Sequence, residues 1–164
     1  MALVVWLAIL AIDFVLNGAV FAGLYLARGG FLLAPDEAFR RIPLGYAAFF
    51  ILAVGLVELA YRLGTGSLVA GTRLGLVLGA GFGLTWSLSL YSIANLQIGL
   101  ALAFGVVWLA VVAVGMAVAA CGLGRKSLGG LALRVVALDV AAVVLVVTLQ
   151  SLGWVATTTH QAMP

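Results

Sequence analysis

Three acidic side chains lie inside long apolar stretches of this chain, and they are its first candidates for chemistry. Asp13 lies near the centre of the first stretch, Glu58 near the end of the second, and Asp139 about two helical turns into the last. An ionised side chain at the middle of a bilayer costs at least about 2.5–3.5 kcal/mol. Each acid therefore needs either a polar partner or a function.

Asp13 has a neutral partner close by in the sequence. Asn17 follows one helical turn later on the same face, so its amide can hydrogen-bond the carboxyl group. Polar atoms of the third apolar stretch are the other structural partners. The functional alternative is an inward-facing polar pocket for an ion, a proton or a lipid head group.

Arginines near the other two acids offer ion pairs instead of a pocket. Asp139 can reach Arg134 or Arg73, which approach from the same side of the membrane. Glu58 and Arg62 are four residues apart, the spacing at which opposite charges pair on a helix surface. The sequence leaves the structural and the functional alternatives open.

A row of glycines ending in polar side chains runs through the third apolar stretch. Taken in steps of four, it consists of Gly71, Gly75, Gly79, Gly83, Ser87, Tyr91 and Asn95. Bare glycine backbone lets another membrane helix come close, so the four glycines predict a helix-packing surface of the glycine-zipper type. Its expected partner is the first span, through Ala19 and Gly23, or the fourth, through Gly115 and Ala119.

The polar end of this row adds three residues to the candidate pocket. Serine hydroxyls in a span also bond their own helix carbonyls, and Asn95 and Gln97 are suited to capping the helix ends at a tight turn. Both alternatives stay open. The candidate ligand or ion pocket is therefore Asp13, Asn17, Glu58, Ser87, Tyr91, Asn95 and Asp139.

The composition places these residues in a membrane protein. Of 164 residues, 66% are hydrophobic and 8% are charged, whereas a soluble domain carries about 25% charged residues. The basic residues are scattered, which argues against a nucleic-acid partner. A single cysteine, Cys121, excludes an internal disulfide, and the one histidine, His160, lies in the polar tail. We expect no metal and no cofactor.

The apolar stretches predict an all-α, polytopic membrane helix bundle with five transmembrane helices. The expected spans are residues 3–27, 44–62, 71–95, 98–121 and 131–155. They form one transmembrane domain, residues 1–155, followed by a polar tail, residues 156–164. Between the first two spans, Pro35 suits the first position of a short helix that we expect to lie in the membrane interface.

The basic residues also predict an orientation. The connections after spans two and four, with the adjoining helix ends, carry five of them, and the connection after span one carries three. Cytoplasmic loops are richer in Lys and Arg. We therefore expect a multi-pass protein of the cell membrane with the N-terminus in the cytoplasm and the C-terminus outside.

Several short motifs resemble a family of small, uncharacterised bacterial membrane proteins, a domain of unknown function with about four spans. The likeness covers residues 1–121 and rests on Asp13, Gly45-Tyr46, Tyr91, Asn95-Leu96 and Trp108. The chain lacks the acidic residue that members tend to have beside the tyrosine at the turn. The resemblance implies a fold and no activity.

Three classes of function are compatible with this sequence. The glycine row favours the class that we expect, a packing, assembly or lipid-binding membrane protein that is a homo-oligomer or an accessory subunit of a larger membrane complex, with membrane lipid as a partner. The buried acids favour a small proton- or ion-coupled transporter. An enzyme is the least favoured class, because the spans contain no nucleophile, base and orienting group together. No motif in the sequence specifically supports catalysis by a pair of aspartates.

Overall fold

The computed structural model describes residues 1–26, 33, 35–125 and 127–155. Within these residues, five helices are long and apolar enough to span a membrane, which confirms the all-α helix bundle. The elements are α1 (Ala2–Val15), a π-helical turn (Leu16–Val20), α2 (Ala22–Leu26), α3 (Pro35–Arg62), α4 (Leu68–Ile93), α5 (Ile98–Leu123) and α6 (Gly129–Ser151). The last residue of the first expected span, the start of the connection after it and the polar tail lie outside the described residues.

The helix predicted to begin at Pro35 is present, but it is not a separate element. It continues through Pro43 into the second span, so α3 is one helix of 28 residues. Proline removes one backbone hydrogen bond, which membrane helices tolerate where local adjustments satisfy the freed carbonyl. At 1.5 Å per residue, α3 is about 42 Å long, longer than the hydrocarbon core of about 30 Å. Its charged first turns therefore extend to the interface.

Helix α5 lies at the centre of the bundle. It packs against α4, α1 and α3, while α6 packs against α1. Val111 and Met116 of α5 are fully buried, together with Val5 and Ile9 of α1. The four helices α4, α5, α1 and α6 are thus neighbours in that order, and α3 packs on both α5 and α1.

The glycine row of α4 faces α5. Gly71, Gly75, Gly79 and Gly83 are buried. A β-carbon placed on Gly79 would lie 2.7 Å from the carbonyl oxygen of Leu109, closer than real β-carbons approach. The contact register differs from the expected one, because Gly115 faces Leu56 of α3 and Ile9 of α1 instead.

Candidate functional site

Asp13 ends a short chain of side-chain hydrogen bonds in the first span. The Asn17 amide Nδ2 donates to Asp13 Oδ1 at 2.8 Å. The Tyr25 hydroxyl in turn donates to Asn17 Oδ1. Both donors therefore point towards the carboxyl group, which accepts in this arrangement. All three side chains are half-buried.

The π-helical turn positions this chain of hydrogen bonds. Phe21 N donates to the Leu16 carbonyl at 2.8 Å, five residues back instead of the four of an α-helix. The wider turn rotates α2 relative to a regular helix and brings Tyr25 towards Asn17. Gln150 of α6 donates to the Gly18 carbonyl at 2.9 Å, which ties this turn to α6. Single π-turns are rare and occur frequently at functional sites.

A first cavity of about 420 Å³ opens beside this chain. It lies between the first span and helices α3, α4 and α5. Its walls combine the three polar side chains with four further aromatic residues and two valines. The lining residues are Asp13, Asn17, Tyr25, Phe49, Trp86, Phe104, Val107, Trp108 and Val111.

The aromatic rings of the first cavity contact one another at steep angles. The Trp108 ring centroid lies 6.5 Å from that of Phe49 and 6.2 Å from that of Trp86, at interplanar angles of 62° and 57°. Tyr25 and Phe104 are 5.9 Å apart at 60°. Tilted rings at these distances stabilise one another. These contacts hold the aromatic side chains in place although the cavity that they line is open.

A second cavity, of about 430 Å³, lies on another side of the first span. Asp13 and Asn17 line it too, and Asp139 joins them from α6. Ile42 and Tyr46 of α3 contribute to its wall, and the remaining lining residues are apolar. The structure therefore brings Asp13, Asn17 and Asp139 of the candidate pocket together around one cavity.

Neither cavity is lined by a basic side chain. Asp139 Oδ2 is buried and has no hydrogen-bond partner among the described residues. The structural alternative, an ion pair of Asp139 with Arg134 or Arg73, does not form among the described residues, where both arginines are exposed. Long arginine side chains near helix ends extend to the interface, away from a deeper carboxylate.

The other candidate residues lie away from these cavities. Glu58 pairs with Arg62 at 2.7 Å on the exposed surface of α3, as its spacing predicts. Ser87 is buried against α5 and lines a different cleft, between α4 and α5. Tyr91 and Asn95 are exposed. Because each step of four turns about 40° around a helix, Tyr91 has turned away from α5, whereas Asn95 lies beyond the end of α4.

The predicted caps at the tight turn are also wrong. Gln97 is the N-cap of α5 but its side chain makes no capping hydrogen bond. Helix α4 ends at Ile93, and the N–H of its C-cap residue, Ala94, donates to the Leu90 carbonyl at 2.9 Å. Backbone groups and not side chains make the hydrogen bonds at this turn. Asn95 therefore does not cap a helix here.

Sequence reasoning missed most of the aromatic wall. Tyr25, Phe49, Trp86 and Phe104 belong to four different helices, so no spacing within one span identifies them as a group. Tyr25 also lies eight residues after Asn17, a separation at which a regular helix places side chains about 12 Å apart along its axis. Only an expectation of the π-turn would have joined the two.

No group of three metal-binding side chains that could hold an ion occurs among the described residues. In comparisons with known proteins, no family model, no curated protein and no solved structure matches the chain. The site must therefore be interpreted from its own geometry.

Proposed function

We propose that this membrane protein is a small carrier that binds a cation at Asp13 and exchanges it for a proton. The observation that carries the proposal is a carboxyl group shared by two cavities whose linings contain no basic side chain. A buried acid without a cationic partner is costly when ionised. A proton or a bound cation removes that cost, and the two can replace each other.

The hydrogen-bond chain fits both states of such an exchange. With Asp13 ionised, the Asn17 amide donates to it and accepts from Tyr25, as observed. With Asp13 protonated, a half-turn of the amide would let Asp13 donate to Asn17 Oδ1 while Nδ2 donates to the Tyr25 oxygen. An amide offers a donor and an acceptor of nearly equal shape, so both states keep every hydrogen bond.

Because two cavities lie beside the Asp13 carboxyl group, the cation and the displaced proton can occupy different cavities. A cation held in the first cavity leaves the second available to the displaced proton, and Asp139 lines only the second. The Asp139 carboxyl group, whose Oδ2 has no hydrogen-bond partner among the described residues, lines this second space together with Asp13. This arrangement supports proton transfer away from Asp13 without a path through the bound cation.

Exchange is measured in vesicles that contain the purified protein, an acidic lumen and a trapped pH dye. External sodium, potassium or tetraethylammonium chloride is then added. We expect wild-type vesicles to become alkaline inside faster than protein-free vesicles with at least one of these cations. Asp13→Asn keeps the hydrogen-bonding shape but cannot release a proton, so its vesicles should match the protein-free ones.

Glu58→Gln is the matched control, because Glu58 is an exposed acid outside both cavities. It should exchange at the wild-type rate. The proposal fails if Asp13→Asn exchanges as fast as wild type, or if none of the three cations moves protons in wild-type vesicles.

Assembly is a second candidate function, supported by the outer surface of α4. Among the described elements, α4 packs extensively on α5 alone, and the hydroxyl-bearing residues Thr85 and Ser89 are exposed. Lipid tails form no hydrogen bonds with hydroxyl groups, whereas a second copy of the chain would provide hydrogen-bond partners for them. The mass of the protein–detergent complex by light scattering distinguishes the cases: a monomer in mild detergent argues against assembly.

A further inference from the structure

The first cavity has the features of a site for an organic cation. Five aromatic side chains from four helices line it, and Asp13 lines it with them. We infer that the ligand is a lipophilic organic cation of the quaternary ammonium or phosphonium class, bound by the aromatic walls and neutralised by Asp13. This inference rests on the proposed function and names its ligand class.

Aromatic walls favour this class because of their charge distribution. The face of an aromatic ring is electrically negative, so it attracts a cation that lies within about 6 Å of the ring centroid, and tryptophan attracts it most strongly. Trp86 and Trp108 both line the cavity. Recognition of quaternary ammonium groups by aromatic cages uses the same chemistry.

The same walls disfavour a hard inorganic cation. Such ions take about six or more oxygen ligands. The side chains that offer oxygen to this cavity are Asp13, Asn17 and Tyr25, and the Asn17 oxygen already accepts from Tyr25. An ion with an apolar surface needs one counter-charge and many apolar contacts, which is what the lining supplies.

Size and depth agree with a ligand that dissolves in the membrane. The cavity of about 420 Å³ lies within the range of about 300–1,000 Å³ for small-molecule sites. Asp13 lies eleven residues after Ala2, the start of α1, which is about 16 Å along the helix and near the middle of a core of about 30 Å. A lipophilic cation reaches this depth from the hydrocarbon.

The test uses two probes of nearly the same shape and opposite charge, tetraphenylphosphonium and tetraphenylborate. Binding of each to the purified protein in detergent is measured by isothermal titration calorimetry, with protein-free detergent subtracted. We expect tetraphenylphosphonium to bind, tetraphenylborate not to bind, and Asp13→Asn to bind tetraphenylphosphonium at least about tenfold more weakly.

The aromatic wall is tested at Trp86. Trp86→Leu keeps an apolar side chain but removes the ring, so the dissociation constant should rise about three- to thirtyfold. Trp86→Phe restores a ring and should recover most of the affinity. Trp154→Leu is the matched control, because Trp154 is 76% exposed and lies outside the cavity. Gel filtration and circular dichroism of each variant establish that it is folded.

Two results overturn the inference. One is tetraphenylborate binding as tightly as tetraphenylphosphonium, which is the result expected if the cavity is an acyl-chain site for lipid. The other is an affinity of Trp86→Leu equal to that of Trp154→Leu. If sodium or potassium still exchanges for protons in an Asp13-dependent manner, only the ligand class fails and the proposed function stands.

Discussion

At the scale of single residues, Asp13 shows what a spacing can and cannot predict. The four-residue separation from Asn17 predicts their hydrogen bond, because it places both side chains on one face of any helix, and this bond is observed. Tyr25 enters the same network through a π-turn. The change of hydrogen-bond register in the π-turn does not alter the hydrophobic periodicity of the sequence. The part of Tyr25 in this network could therefore not be predicted.

The contribution of that third member is testable with Tyr25→Phe. The substitution keeps the ring in the aromatic wall and removes the hydroxyl that donates to Asn17. We expect a loss of about 0.6 kcal/mol in stability, the average measured for side-chain hydrogen bonds between membrane helices, with about 1.7 kcal/mol as the upper bound. Thermal unfolding in detergent measures it. Tyr61→Phe is the control, since Tyr61 is 69% exposed. Equal unfolding temperatures for the two variants would mean that the hydroxyl contributes nothing.

At the scale of elements, the contact between α4 and α5 is the most extensive among the described helices. The row of glycines predicts a close helix contact but not its register, because a bare surface accepts many partner positions. In the structure, Gly75 approaches Ala113 and Gly79 approaches Leu109, with the two backbones in contact. The residues that fix the register belong to α5, whose alanines and valines look alike on every face of that helix.

A pair of glycines on α4 tests this contact. A β-carbon on Gly79 would lie 2.7 Å from the Leu109 carbonyl oxygen, whereas one on Gly81 would meet nothing within 4 Å. Gly79→Ala must push two backbones apart, which costs about 1–3 kcal/mol. Gly81→Ala makes no contact and should be neutral or slightly stabilising, since alanine favours helix over glycine by about 1 kcal/mol.

Thermal unfolding in detergent compares the two variants directly. We expect Gly79→Ala to unfold at the lower temperature. Equal temperatures would mean that α4 does not pack on α5 through this row in the membrane.

At the scale of the whole molecule, the number of spans could be predicted and their arrangement could not. Length and hydropathy define five spans because each must cross the same thickness of hydrocarbon. The order α4, α5, α1, α6 has no comparable signal in the sequence. Lipid tails and the protein interior are equally apolar, so a membrane helix does not need a polar outer face that would show which side packs on its neighbours. The two cavities depend on that order, so they were not predictable from the candidate residues alone.

Orientation in the membrane is a property of the whole chain and remains a prediction. Five spans place the termini on opposite sides. The basic residues on the side we assign to the cytoplasm are Arg62, Arg73, Arg125, Lys126 and Arg134, against Arg28, Arg40 and Arg41 on the other side. Arg62 ends α3, and Arg73 and Arg134 are exposed in the second turns of α4 and α6. The bias therefore lies close to the helix ends, where it has most effect on topology.

Reporter fusions at each terminus measure the orientation. A fluorescent protein that matures only in the cytoplasm should be active at the N-terminus, and a phosphatase that is active only outside should be active at the C-terminus. The double variant Arg62→Gln, Arg73→Gln leaves three basic residues on each side and should give a mixture of orientations. The matched double variant Arg40→Gln, Arg41→Gln increases the bias and should keep one orientation, since it removes charge from the side expected to lie outside. A phosphatase active at the N-terminus of the wild-type chain would reverse the assignment, and phosphatase activity at both termini would contradict an odd number of spans.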